Sequence, residues 1–146
     1  MPTILVIDDE PTVRQLLHDI LCDEGFAVVT VADGLEGFVA LRTVLVDLIL
    51  CDIMMPRMDG IAFATQLRGE SRYVAIPLIM LSAAPAENSL LATMYTAFLE
   101  KPFAVPALLT VVNQALSEPA IPPPFIGDAG IAPPADTDPT QPVASA

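Results

Sequence analysis

The chain has 146 residues, 53% of them apolar and only 16% charged, which is enough to bury a substantial core and excludes general disorder. Eighteen acidic against six basic side chains leave a net charge of −12 with no cluster of Lys or Arg, and this argues against the electrostatic grip that nucleic acid or an anionic membrane requires. Cys22 and Cys51 alone build neither a disulfide framework nor a four-ligand zinc site.

Residues 1–7 have no basic region and too short an apolar run for a secretory leader. The longest charge-free stretch before the tail, residues 102–117, contains two prolines, Asn113 and Gln114, and falls short of the ~20 apolar residues that cross a bilayer. No membrane association is expected, and the cytoplasm is the expected compartment.

In chain order, short β-rich runs alternate with helical patterns. Residues 3–7 (TILVI) form the first strand candidate. Pro11 then opens a helix whose apolar side chains, Val13, Leu16, Leu17, Ile20 and Leu21, recur at helical spacing. Strand candidates follow at 27–31, 48–51, 77–81 and 97–99, and helical patterns at 34–45, 61–68, 86–94 and 105–116, that at 86–94 being the weakest. The strands are continuously apolar rather than alternating, as suits a parallel sheet buried on both faces. Five such units imply an α/β fold: a doubly wound five-stranded parallel sheet with five flanking helices.

The composition breaks near Ser117. Residues 119–146 hold eight prolines, six alanines and three aspartates with no Lys or Arg, so a disordered acidic tail is expected after a domain spanning 1–118.

Ligands of open parallel sheets bind outside the carboxyl ends of the strands. Those positions carry Asp8, Asp9 and Glu10 after the first strand, Asp52 after the third, Ser82 after the fourth and Lys101 after the fifth. Taken singly each has an ordinary reading: the first three as helix caps, Asp52 and Ser82 as turn residues, Lys101 as solvated surface. Together they deliver carboxylates, a hydroxyl and an ammonium to one edge. Converging carboxylates repel one another and call for a cation, and an all-oxygen set suits Mg²⁺.

The segments ILVIDDE at 4–10, DLILCDIMMPRMDG at 47–60, PLIMLSA at 77–83 and FLEKPF at 98–103 resemble the receiver domain of two-component response regulators, of the chemotaxis-regulator type. The resemblance implies the flavodoxin-like receiver fold and a phosphoryl-accepting signalling switch rather than an enzyme, with Asp52 as phosphoacceptor. It implies Mg²⁺, with Mn²⁺ an acceptable substitute, held by Asp8, Asp9, Asp52 and the backbone carbonyl of Met54, Asp8 acting mainly through water. It further implies that Ser82 and Lys101 contact the phosphoryl group, that Ser82 and Phe98 form the switch, and that Pro102 follows a cis peptide. From the residues alone, Phe98 reads first as a static core aromatic, and Pro102 is compatible with an ordinary trans turn.

The same resemblance implies a histidine kinase or histidine phosphotransfer protein as phosphodonor, docking near the first helix where Arg14, Gln15 and His18 are expected to be exposed. Asp59 is expected to cap the third helix, and Gly60 to stand where a side chain would not fit. Two departures from the family pattern affect the switch: the interval from Ser82 to Lys101 is short, and Met94-Tyr95 replaces the usual Gly-Ala before the fifth strand. After Arg72 the only basic residue is Lys101, so salt bridges cannot hold a dimer on the last-strand face. Leu90, Leu91, Met94, Tyr95, Leu109 and Val112 lie in that region. Any of them left outside the core would form an apolar patch suited to homodimerisation on activation or to docking a downstream protein.

The acidic, proline-rich tail does not suit a DNA-binding output domain. Two other readings are a phosphorylation-independent interaction module and an aspartyl-phosphate phosphatase of the haloacid-dehalogenase type. The complete set of Asp8, Asp9, Asp52, Ser82 and Lys101 argues against the first, and the missing acid at position 54 against the second.

Overall fold

The computed structural model describes residues 1–55, 57–83 and 95–117. Five strands, β1 (Thr3–Ile7), β2 (Ala27–Val31), β3 (Leu48–Asp52), β4 (Leu78–Ser82) and β5 (Ala97–Glu100), make one parallel sheet in the order β2-β1-β3-β4-β5. Among the described residues four helices flank it: α1 (Pro11–Asp23), α2 (Gly34–Thr43), α3 (Gly60–Arg68) and α4 (Val105–Ser117). This is the doubly wound architecture expected. The helix expected at 86–94 and the tail at 119–146 lie outside the described residues, so four of the five expected helices are described.

Successive side chains of a strand point to opposite faces, and the central strands exploit both. Leu5, Ile7, Ile49, Cys51, Leu78 and Met80 face the side covered by α2 and α3, where Phe38, Phe63 and Leu67 complete the packing. Ile4, Val6, Leu48, Leu50, Ile79 and Leu81 face α1 and α4, against Leu17, Leu21, Leu108 and Val112. Each fully buried Leu or Ile contributes about 1.5–3 kcal/mol, so the sheet's central strands dominate stability.

The helix starts have distinct local causes. Pro11 sits at the first turn of α1, where its missing N–H costs nothing, and Glu10 at the N-cap makes no side-chain cap bond. Asp33 and Asp59 cap α2 and α3 by accepting from Glu36 N and Ala62 N at 3.0 and 2.8 Å. Gly25, with φ of +93°, reverses the chain after α1 so that Ala27 can begin β2 against Pro2. The guanidinium of Arg68 donates to the carbonyls of Val74 and Ile76 at 2.8 and 2.9 Å, fastening the connection from α3 to β4. Its burial holds the guanidinium pKa down to about 10. Among the described residues no helix is long and apolar enough to cross a membrane.

Candidate functional site

The strand order reverses between β1 and β3, and the carboxyl ends of these two strands flank the crevice this creates. Asp8 follows β1 directly and is fully buried; Asp9 is exposed; Asp52 is the last residue of β3 and is buried. One carboxylate oxygen from each of the three lies within 4.8 Å of the others. β5 brings the counter-charge. Lys101, one residue past its end, donates from Nζ to Asp8 Oδ2 at 2.9 Å and to Asp52 Oδ2 at 3.3 Å. The backbone before it is fixed to β4, since Lys101 N–H donates to the Ser82 carbonyl at 2.7 Å, and the Lys101–Pro102 peptide is cis.

Local turns aim the acids. Asp8 Oδ1 accepts from Glu10 N–H at 2.9 Å, which sets the entry into α1, and Arg14 reaches back from α1 to donate to the Asp8 carbonyl at 2.7 Å. Asp52 Oδ1 accepts from Met54 N–H at 3.3 Å, while the Met54 side chain stands in solvent. Ser82 ends β4 beside Asp52's strand and is buried. Phe98, half-buried on β5, packs toward the α2–α3 side with its ring centroid 6.0 Å from that of Tyr95. Asp8, Asp9, Asp52 and Lys101 therefore converge, while Phe98, in register with Met80 of β4, packs against the core on the α2–α3 side.

Burial raises the pKa of the Asp52 carboxyl and the neighbouring Asp8 charge adds to the rise; Lys101 and the Met54 N–H offset only part of it. For Lys101, burial alone would lower the pKa, but the hydrogen bonds and charges of Asp8 and Asp52 outweigh it and the ammonium is held above its usual range. Cys51 is next to Asp52 but inert: burial, with the charges of Asp52, Asp8 and Asp59, pushes its thiol well up.

Gly60 explains how the loop after Asp52 closes so tightly. A Cβ there would come within 2.6 Å of the Asp52 carbonyl and 2.7 Å of Ile53 Cα, and Gly60 N–H donates to the Ile53 carbonyl at 2.8 Å. Two arginines near the site were not foreseen. Arg14, expected to be exposed, is half-buried against Asp8, and Arg57 pairs with the buried Asp33. The Asp33-to-Glu36 spacing is a legible capping signal, but nothing in the sequence marks Arg57 as its partner.

The model for the response regulator receiver domain family matches residues 4–113. The chain belongs to this family. The receiver is 37% identical over 116 residues to hybrid signal transduction histidine kinase D of Dictyostelium discoideum, covering 77% of this chain and 7% of that protein. It is 34% identical over 119 residues to response regulator Rre1 of Synechocystis, covering 79% and 52%. DNA-binding response regulator MtrA of Mycolicibacterium smegmatis matches at 39% over 80 residues, 55% of this chain and 34% of that one. The receiver thus spans from under a tenth to about half of these curated relatives. Among solved structures, chemotaxis protein CheY4 of Vibrio cholerae superposes with a TM-score of 0.74 at 32% identity, covering 80% of this chain and 99% of that one. Response regulator TrrA of Thermotoga maritima, solved in complex with Mg²⁺ and BeF, gives 0.72 at 31%, covering 80% and 100%. The chain is therefore a receiver domain of two-component signalling, with an acidic pocket compatible with Mg²⁺.

Proposed function

We propose that this receiver is a phosphoryl-accepting switch in which Asp52 is the phosphoacceptor. The observation that carries the reading is the trio of oxygens from Asp8, Asp9 and Asp52 within 4.8 Å of one another, with Lys101 Nζ on two of the three side chains. Three hard oxygen donors fit Mg²⁺, or Mn²⁺ in its place, and the residues that would hold it are Asp8, Asp9, Asp52 and the Met54 backbone carbonyl. When bound, such a cation neutralises the repulsion between a carboxylate and an anionic phosphoryl group.

The chain's own groups divide the remaining work. A carboxylate oxygen of Asp52 attacks the phosphorus of a phosphohistidine, an O–P bond forms as the N–P bond breaks, and the imidazole leaves. Lys101 pairs with a phosphoryl oxygen as a point charge, and the Ser82 hydroxyl donates to another. Ser82 and Phe98 are the switch: the hydroxyl follows the phosphoryl group, and the ring repacks behind it.

The donor is a histidine kinase or histidine phosphotransfer protein. A cleft of about 310 Å³ lined by Val13, Leu16, Ala83, Lys101, Pro102 and Phe103 opens beside Lys101 and offers it an apolar seat. Output passes through protein contacts, including a homodimer on activation. MtrA is by name DNA-binding, but for residues 1–146 a net charge of −12 argues against nucleic acid as partner. The switch occupies 1–118, the tail 119–146 being an acidic extension, and the cytoplasm is its compartment.

The test is phosphoryl transfer from a labelled phosphotransfer protein with Mg²⁺ present. Wild type should take up one alkali-labile phosphoryl group and Asp52→Asn none; equal labelling of the variant would overturn the assignment.

A further inference from the structure

The loop that follows Asp52 is closed at its base, where Gly60 N–H meets the Ile53 carbonyl at 2.8 Å, but its outer side carries an improbable backbone. Arg57 has φ of +64°, a left-handed conformation that side chains other than Asn and Asp seldom adopt. Contacts made across the molecule compensate for it. The Arg57 guanidinium pairs with Asp33, twenty-four residues earlier, and stands 3.7 Å from Glu36 Oε2. Asp33 is 1% exposed and is itself committed to capping α2 through Glu36 N–H. The neighbouring Met58 side chain lies over Gly34, where a Cβ would stand 2.8 Å from its sulfur. Consecutive loop residues, 57 and 58, thus seat on consecutive residues, 33 and 34, at the start of α2. That helix is immobilised in turn, Gly37 lying against Ile7 and Phe38 packing on Phe63 with centroids 4.7 Å apart.

We propose that the Arg57–Asp33 pair is a latch that holds residues 57–60, and through the contact of Gly60 with the Asp52 and Ile53 backbone the Asp8–Asp9–Asp52 cluster, in register, which makes Arg57 a positioning residue for the cation site. It acts through the backbone: its guanidinium partners are Asp33 and Glu36, not the cluster carboxylates. The inference rests on the proposed reading of Asp52 and its cation.

Mg²⁺ affinity is to be measured calorimetrically on the full chain for wild type, Arg57→Ala, Arg57→Gly, Arg57→Lys and Asp33→Asn, with urea unfolding in the absence of Mg²⁺. Because Arg57 is a surface side chain, its variants are expected to fold even if Asp33→Asn does not. Removing an outer partner of a metal ligand typically costs 10–100-fold; acting through backbone, loss of the latch should weaken Mg²⁺ by about three- to tenfold. Arg57→Lys should recover most of the loss. Arg57→Gly is decisive, since glycine adopts the left-handed backbone freely but cannot make the pair. Unchanged affinity in Arg57→Ala and Arg57→Gly, with wild type binding normally, overturns the latch. If wild type itself fails to bind Mg²⁺, the cation reading falls instead. The latch is then judged by amide hydrogen exchange at Met54, Met55, Met58 and Asp59, which Arg57→Gly should accelerate; unchanged exchange overturns it.

Discussion

Replacing Gly60 by alanine tests whether the loop after Asp52 is closed as tightly as described. The added Cβ would lie 2.6 Å from the Asp52 carbonyl oxygen, 2.7 Å from Ile53 Cα and 2.8 Å from Met80 Cε. The Met80 methyl ends a flexible side chain and can swing away. The other two atoms are backbone at the end of a fully buried central strand, and neither can retreat without opening the Gly60–Ile53 hydrogen bond. Overpacking typically costs 1–3 kcal/mol, and two immovable contacts place this site toward the top, at about 2–3 kcal/mol after the small helix-propensity gain of alanine. With a urea dependence of about 1–3 kcal/mol per molar, the midpoint should fall by about 1–2 M. The assay is urea unfolding followed by far-ultraviolet circular dichroism without Mg²⁺, with Gly69→Ala as control. Around Gly69 the nearest atoms are 3.5 and 3.6 Å from a built Cβ, so that variant should stay within about 0.5 kcal/mol of wild type. An unchanged midpoint for Gly60→Ala, or an equal fall for Gly69→Ala, would refute the steric reasoning.

Lys101→Met leaves the buried carboxylates of Asp8 and Asp52 facing each other without an internal cation, and should cost the metal-free protein about 2–3 kcal/mol in urea. Because the folded-state pKa of Lys101 is raised, its contribution is full below 10.5 and fades as pH rises through the folded value, so wild type and Lys101→Met should converge in strong alkali. For Asp52 stability also falls as pH rises, but here because the charged form is the unfavourable one. Its raised folded pKa means that ionisation costs stability as pH climbs from 3.8 through the folded value, so metal-free Asp52→Asn should be more stable than wild type at pH 7.5 and lose that advantage in acid, read by thermal melts. Mg²⁺ at a hundred times its dissociation constant should stabilise wild type by about 2.7 kcal/mol, and Asp9→Asn should lose most of that gain in a melting titration.

Much of this was legible because strand and site share one grammar. Runs such as LILC at 48–51 are apolar throughout, which only a sheet covered on both faces accommodates, and a parallel sheet collects the residue after each strand at a single edge. Asp8, Asp52 and Lys101 were therefore predictable neighbours despite their separation. Boundaries were less so: β4 runs from Leu78 to Ser82 rather than 77–81, since Pro77 offers no N–H to the ladder and enters only by accepting from Ile49. The helix expected over 34–45 stops at Thr43, where Val44 turns extended with φ of −135°. The roles of Arg14 and Arg57 were not legible. A guanidinium on a long, flexible stem finds its partner only once distant segments are packed, and neither periodicity nor spacing encodes which carbonyl or carboxylate will be within reach.

The ion pair between Asp8 and Lys101 joins residues 93 positions apart. On the ribosome, a nascent chain emerges with its acidic pocket half made, displaying Asp8, Asp9 and then Asp52 long before their cation exists. Charge balance arrives only when the last strand docks, so any fragment truncated upstream of β5 carries the acids without their ammonium. Competence to signal is in this way tied to completion of the fold, and a prematurely released receiver should be electrostatically strained as well as silent.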